Sequence, residues 1–512
     1  MKPSVLGHKK AMSPETAWAR GEAWIMERPG RPETAACSWG VLSGIVVGDG
    51  ESPLHGEGPD GSTQPVQETR AGHAGSGYRE PTSLRGIANR AQDSKHHRFR
   101  NLFAEVNVEL LTYCWQQLNK DAASGVDGLT AETYAANLEG NLADLAERVK
   151  AGRYRAKYVR RVYIPKENGK ERPLGIPALE DKLVQLAVAK LMGAIYEADF
   201  LDCSYGYRPG RSARDAVRDL SLGLTIGKFG YLVEADIRGF FEHMDHDWLL
   251  RMLSLRIDDR AFLDLIRKWL KAGILDTDGA VLHPATGTPQ GGIVSPVLAN
   301  LYLHYALDLW VERVVKPRCR GEVLLCRYAD DFVCAFRFEA DARRFFRVLA
   351  QRLEKFGLAL APEKTQVLRF SRFHPSPKRR ATFLGFELFW FTDREGIPRV
   401  RRRTARKRLQ GAIRRIKEWI KGHRHLPGME FIKGLNRRLV GHYNYYGLRG
   451  NSADLWRFYN AAVVYAFKWL NRRGGKRKSF TWAVFGRAIE KLGIAKPRIT
   501  ESRCLQYELV FA

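Results

Sequence analysis

Apolar residues fall at helical spacing from Ser83 onward, at Leu84, Ile87, Ala88 and Ala91 and then Leu102, Val106, Leu110 and Leu111, before a turn-rich Ser124-Gly125-Val126-Asp127-Gly128 loop. Beyond it, short β-branched and aromatic runs at residues 160–164, 231–237, 323–336 and 382–389 alternate with helical stretches at 179–198, 213–222 and 340–356. Interleaved strands and helices of this kind predict an α+β domain. Past Pro398 the strand signal stops and three helical segments follow, at 404–422, 430–447 and 453–472, which predicts an all-helical C-terminal part.

Upstream of Ser83 neither period is sustained. Residues 1–80 hold 13 Gly and 7 Pro, against 34 and 15 in the rest of the 512-residue chain. Residues 1–82 are therefore expected to be a flexible Gly/Pro-rich extension or translated upstream sequence, without a function of their own. With 45% hydrophobic residues the remainder can bury substantial cores, which excludes wholesale disorder. Charge changes the picture more. The 84 Lys+Arg against 56 Asp+Glu leave a formal net charge of +28, and a chain this basic calls for a polyanionic partner. No apolar run approaches the roughly 20 residues of a membrane span. The N-terminus lacks a long apolar core, and Glu15, Glu22 and Glu27 are foreign to a transit peptide, so a cytoplasmic protein is expected. Seven cysteines without a Cys-x-x-Cys pair predict reduced, buried thiols and neither a disulfide framework nor a zinc site.

Two acidic features interrupt this basic background. Tyr328-Ala329-Asp330-Asp331 sets adjacent carboxylates between apolar halves at 323–327 and 332–336, which reads as a hairpin with acids at its turn. An exposed Asp-rich turn is the plain alternative, but adjacent carboxylates repel and need solvent or a cation. The apolar run Tyr231-Leu232-Val233-Glu234-Ala235 also ends on an acid, Asp236, and Phe240-Phe241 follow. Three carboxylates at strand ends match the oxygen-ligand demand of two Mg2+ ions about 4 Å apart in phosphoryl transfer. Asp236, Asp330 and Asp331 are thus the candidate catalytic and metal-binding residues.

Four boxes together carry a family resemblance. They are the Tyr-Ala-Asp-Asp box, the Asp236 strand, Thr288-Pro289-Gln290-Gly291-Gly292 with Ser295-Pro296, and Ile164-Pro165-Lys166 through Arg172-Pro173-Leu174-Gly175-Ile176-Pro177. In this order and spacing they resemble the reverse transcriptases of group II introns, over residues 83–499. The resemblance implies a right-hand polymerase with fingers and palm at 83–390, a helical thumb and maturase domain X at 391–475, and a short basic DNA-binding remnant at 476–512. It implies two Mg2+ ions held by Asp236, Asp330 and Asp331 with Ile237 beside them, one activating a primer 3′-OH and the other holding a dNTP. Phe240 or Phe241 would lie under the sugar and reject a ribose 2′-OH, the other being core. Lys166 and Arg172, flanking a turn at Gly169, would clamp the triphosphate, with Lys170 as a competitor. Gln290 would lie near the incoming nucleotide, its glycines allowing close backbone approach, with a purely structural turn as the plain alternative. Lys364 matches a lysine that protonates the leaving pyrophosphate, or is a solvated surface residue. Leu384 and Gly385, in Phe383-Leu384-Gly385-Phe386, match the primer grip.

Between Arg399 and Lys421 eleven Lys and Arg accompany a single acid, Glu418. A solvated helix face would mix signs, so this density predicts a helix that tracks phosphates with strongly salt-dependent binding. Arg401, Arg402, Arg403, Arg406, Lys407, Arg408, Arg414 and Arg415 are the expected RNA contacts. Tyr443 and Tyr446 join them from Gly441-His442-Tyr443-Asn444-Tyr445-Tyr446-Gly447, where rings either stack on unpaired bases or build the helical core. In maturases this region grips the primer–template and the intron RNA. The partners implied are a group II intron RNA, an RNA template with a DNA primer, and target DNA, in a bacterial cytoplasm and with no membrane. Only Cys504 follows Gly475, so no HNH nuclease is expected. The alternatives are a non-enzymatic splicing factor with a retired polymerase fold and a reverse transcriptase recruited to host defence. The three acids with Gln290 argue against the first, and the tyrosine-rich tail against the second.

Overall fold

The computed structural model describes residues 80–165, 171–283, 285–288, 291–472 and 479–501. The expected N-terminal extension lies almost wholly outside the described residues, as do the two ends of the basic C-terminal remnant. The first described helix starts at Thr82 (Thr82–Asp93) and packs, with Val108–Gln117, on the long buried helix Leu179–Tyr196. Asn107 caps the second of these by accepting the Leu110 N–H at 3.0 Å.

The fold is mixed α and β, as its alternating pattern predicts. Strands β1 (Val159–Pro165) and β2 (Glu171–Ile176) form a hairpin, and β5 (Ile274–Leu275) and β6 (Val281–Leu282) extend its sheet beyond β1. The central sheet is antiparallel, with β3 (Tyr231–Ala235) and β7 (Val323–Tyr328) flanking β8 (Asp331–Phe336), and β10 (Gln366–Arg369) pairing on the outer side of β3. Its strands alternate between two cores. Leu232, Val333 and Ala335 join Ala216, Val217 and Leu220 of the helix Ala213–Ile226. Phe332, Cys334 and Phe336 point the other way, where Phe336 meets Phe345 of the helix Glu339–Glu354 with ring centroids 5.1 Å apart. Each such buried aromatic contributes about 2–3 kcal/mol, and together they fix the register that places the strand ends.

The strand predicted at 231–237 breaks at Asp236. Ile237–Arg238 form a separate strand, β4, which pairs with β9 (Ala359–Leu360) outside the central sheet. A helix beginning at Ser295–Leu303 continues through two π turns, His304–Asp308 and Val311–Val315.

The expectation that strands end before Pro398 is corrected. β13 (Pro398–Thr404) pairs with β12 (Phe386–Thr392), which pairs with β11 (Ala381–Phe383). Val400, Arg402 and Thr404 are buried on one face, so the strand alternates normally, but an arginine stands at an inward position and hides the pattern. After it come the three expected helices, Arg406–His423, Gly428–Tyr446 and Ser452–Leu470, which share a core of Leu409, Ile416, Leu435, Leu439, Leu455 and Phe458. Among the described residues no helix is long and apolar enough to cross a membrane, and the five cysteines are unpaired.

Candidate active site

Register brings the three acids together. β3 and β8 pair antiparallel with Ala235 opposite Phe332, so one step further along sets Asp236 beside Asp331 at the same end of the sheet. In the β7–β8 hairpin Tyr328 pairs with Asp331, leaving Ala329-Asp330 as a two-residue turn. Ala329 takes φ +56°, the left-handed conformation this turn demands at its first central position and one that a Cβ disfavours. Gly206 presses against the turn so closely that a Cβ there would lie 2.5 Å from the Ala329 nitrogen.

The cluster is electrostatically loaded. Burial, then repulsion by Asp330 and Asp236, holds the Asp331 carboxyl up at about 6, against the pull of Lys364 and Arg408. Asp330 is raised too, by burial first and then by Asp236, while Arg172 and Lys364 pull it down. Lys364 Nζ donates to Asp236 Oδ2 at 2.6 Å, and that bond raises the lysine pKa. Among the described residues no group of three or more His, Cys, Asp or Glu is already closed around one point. Instead an ammonium sits on the Asp236 carboxylate, with two further carboxylates destabilised by burial and then by proximity. Such an all-oxygen, mutually repelling donor set suits a hard divalent cation, which would relieve the repulsion.

The other expected residues surround this cluster in part. Arg172, on β2, is exposed and close enough to influence both Asp330 and Tyr207. Lys166 and Gln290 lie outside the described residues. Gly291, next to Gln290, has φ +116°, and a Cβ there would stand 2.3 Å from the Gly175 carbonyl, so this turn is seated on β2 and tolerates only glycine. Thr288 ties the same loop to Phe241, donating its N–H to the Phe241 carbonyl at 2.8 Å. Both phenylalanines are buried, Phe240 against Tyr302 and Phe241. Phe241 is the less enclosed ring, at 8% exposure against 2%.

At the expected primer grip, Leu384 and Gly385 both adopt positive φ, +49° and +80°. The turn is held from the helical part: Tyr445 Oη donates to the Leu384 carbonyl at 3.0 Å, and the Ala405 N–H donates to Gly385 at 2.9 Å. Arg406, Lys407, Arg408, Arg414 and Arg415 are exposed along Arg406–His423, and Arg408 reaches far enough to act on Asp331.

Three expectations for nucleic-acid contacts are corrected. Arg402 is only 2% exposed and forms a two-pronged pair with Glu501, at 2.8 and 3.0 Å, so it is internal structure. Arg403 stands partly buried between Glu387 and Asp454, 3.6 Å from each, and Arg401 alone of the three is exposed, on a strand rather than a helix. Tyr443 is fully buried in the helical core, whereas Tyr446 is half-buried and Tyr445 exposed.

Sequence reasoning missed Tyr207, Tyr445 and Arg327. Tyr207 is half exposed, at φ +58°, and its ring lies 6.4 Å from that of Tyr328. Of four non-glycine residues at positive φ among the described residues, Tyr207, Ala329 and Leu384 lie near this acidic cluster. The turn-rich Ser204-Tyr205-Gly206-Tyr207-Arg208-Pro209-Gly210 stretch was the available signal.

Carboxylates gathered at one end of an antiparallel sheet, with cations around them, suit phosphoryl-transfer chemistry, and residues 164–388 match the family described as reverse transcriptase (RNA-dependent DNA polymerase). Proteins of this family work on nucleic acid and depend on divalent metal. The chain is 37% identical over 237 residues to "Protein YkfC" of Escherichia coli, covering 41% of this chain and 62% of the relative. It is 36% identical over 230 residues to "Group II intron-encoded protein LtrA" of Lactococcus lactis, covering 44% of this chain and 38% of the relative. A "91 kDa protein in cob intron" of Schizosaccharomyces pombe is 36% identical over 221 residues, 42% of this chain and 26% of its own length. The chain thus spans less than two thirds of the relatives it matches. The resemblance to intron-encoded reverse transcriptases holds.

Proposed function

We propose that this protein is the RNA-directed DNA polymerase of a group II intron and also its maturase, binding the intron RNA to promote splicing and copying it during retrohoming. The observation that carries the proposal is the meeting of Asp236, Asp330 and Asp331 at one end of the central sheet, their repulsion countered by Lys364. RNA binding alone gives no reason to confront three carboxylates, whereas divalent cations do.

In this reading the central sheet is the palm, the β1–β2 hairpin belongs to the fingers, and the helices from Arg406 onward are the thumb and maturase domain X. Asp236, Asp330 and Asp331, with the Ile237 backbone, would hold two Mg2+ ions, which when bound lower the pKa of a primer 3′-OH and neutralise the departing pyrophosphate. Lys166 and Arg172 offer cations to the dNTP triphosphate. Gln290 and its glycines line the nucleotide's approach, and Phe240 or Phe241 backs its sugar. Lys364, already protonated and hydrogen-bonded beside Asp236, is placed to give its proton to the leaving group. Leu384 and Gly385 carry the primer end, and Arg401, Arg406, Lys407, Arg408, Arg414 and Arg415 with Tyr446 meet RNA phosphates and bases. The splicing chemistry itself belongs to the intron RNA; the protein stabilises the folded ribozyme.

The test measures dNTP incorporation on an RNA template with a DNA primer and intron-RNA binding in one preparation. Both activities are expected. Tight RNA binding with no incorporation by folded protein would leave only a splicing factor.

A further inference from the structure

Beneath the acidic turn lies a buried polar cluster that the proposed chemistry does not use. Arg327, two residues before Ala329, is 0% exposed, and so is its partner Asp308. All five guanidinium N–H donors are engaged. Nε and Nη2 donate to the two Asp308 oxygens at 2.7 and 2.5 Å, Nη2 also to Ser204 Oγ at 2.8 Å, and Nη1 to Asn300 Oδ1 at 3.1 Å and to the Ala329 carbonyl at 3.0 Å.

The fork thus grips the backbone of the turn that presents Asp330 and Asp331. Its other end is anchored by an irregularity in the long helix. Asp308 closes the π turn His304–Asp308, and Arg352, fully buried in the facing helix, donates to the Tyr305 and Ala306 carbonyls of that turn at 3.3 and 2.9 Å. Asn300 also bonds the Gly206 carbonyl, so the segment pressed against Ala329 is held by the same group. A buried ion pair is on average no more stabilising than apolar residues of similar volume, so stability alone does not account for this one. What an apolar pair cannot do is hold a carbonyl at one height and angle. Ala329 is in a strained backbone region, and strain of that kind persists only where the surroundings over-determine it.

We propose that Arg327 is a positioning residue: clamped by Asp308, it fixes the Ala329 carbonyl and so aims the Asp330 and Asp331 carboxylates toward Asp236. This rests on the polymerase reading above. It is tested with an Arg327→Met, Asp308→Leu double variant, which removes both charges together, and with Arg327→Lys, which keeps the charge pair but cannot reach Asn300, Ser204 and Ala329 at once. Thermal midpoint, kcat and KM for dNTP, and Mn2+ affinity by electron paramagnetic resonance are measured on the full chain with primer–template.

The double variant is expected to melt close to wild type yet lose about 100-fold in kcat and about tenfold in Mn2+ affinity, with KM little changed. Arg327→Lys should lose an intermediate amount. Wild-type kcat and Mn2+ affinity in a folded double variant would overturn the proposal. Should that variant not fold, wild-type values in Arg327→Lys would overturn it equally. A wild-type protein that neither incorporates dNTP nor binds Mn2+ would instead overturn the polymerase reading, a result distinguishable from both.

Discussion

Replacing Asp331 by asparagine should stabilise the metal-free protein while abolishing its chemistry. The Asp331 carboxyl is held at about 6, against 3.8 for an unperturbed aspartate, so the native state binds its proton more tightly than the unfolded chain does. The sign follows: stability present below pH 4 is lost as pH rises through about 6, because ionisation in the fold is penalised by burial, Asp330 and Asp236. The difference between those two values corresponds to roughly 3 kcal/mol at most, and since the side chain reaches solvent, screening reduces this to about 1 kcal/mol. For a protein of this size that is about 1 °C in Tm. The assay is thermal unfolding of wild type and Asp331→Asn in EDTA between pH 4 and 8. The variant should melt higher at pH 7.5 and equally at pH 4, and Mg2+ should raise the wild-type midpoint but not the variant's. A variant no more stable than wild type at pH 7.5 would refute the argument that burial and the neighbouring carboxylates hold this acid up.

Four further outcomes are expected. Lys364→Met should lower dNTP incorporation about 100-fold at saturating nucleotide while leaving primer–template binding intact, as measured by single-turnover extension and filter binding. Arg402→Met strands a buried Glu501 and should cost about 3–5 kcal/mol in denaturant unfolding, most of it recovered by adding Glu501→Leu, with the salt dependence of RNA binding unchanged. Converting Arg406, Lys407 and Arg408 to alanine should do the reverse, reducing the slope of log K against log salt by about 2 with little effect on unfolding. Gly291→Ala should cost about 2 kcal/mol or more and raise the KM for dNTP, since its Cβ would meet the Gly175 carbonyl at 2.3 Å.

The strands and acids were legible because period-two apolar runs force a register, and a register decides which residues share a sheet end. Tyr231-Leu232-Val233-Glu234-Ala235 and the Tyr328 box put Asp236, Asp330 and Asp331 at strand ends, although the jog that ends β3 before Asp236 left no mark in the run. Arginine was where the reading failed. Arg402 and Arg327 are polar in composition yet internal in the fold, because Glu501 and Asp308 arrive from 99 and 19 residues away to neutralise them. No local pattern announces a partner at that distance. The same blindness hid a strand at Pro398–Thr404, where the strand signal was read as stopping, and it assigned Tyr443 to RNA when the helix turns Tyr445 outward instead. Tyr207 carries no periodic signal, since its place is set by a left-handed residue in a loop.

The most direct test is Mg2+-dependent dNTP incorporation on an RNA template with a DNA primer, comparing wild type with the Asp330→Ala, Asp331→Ala variant at matched folding and RNA affinity. The account predicts extension by wild type and none by the variant. Extension that survives the loss of both carboxylates, or a folded, RNA-binding wild type that extends no primer, would contradict it.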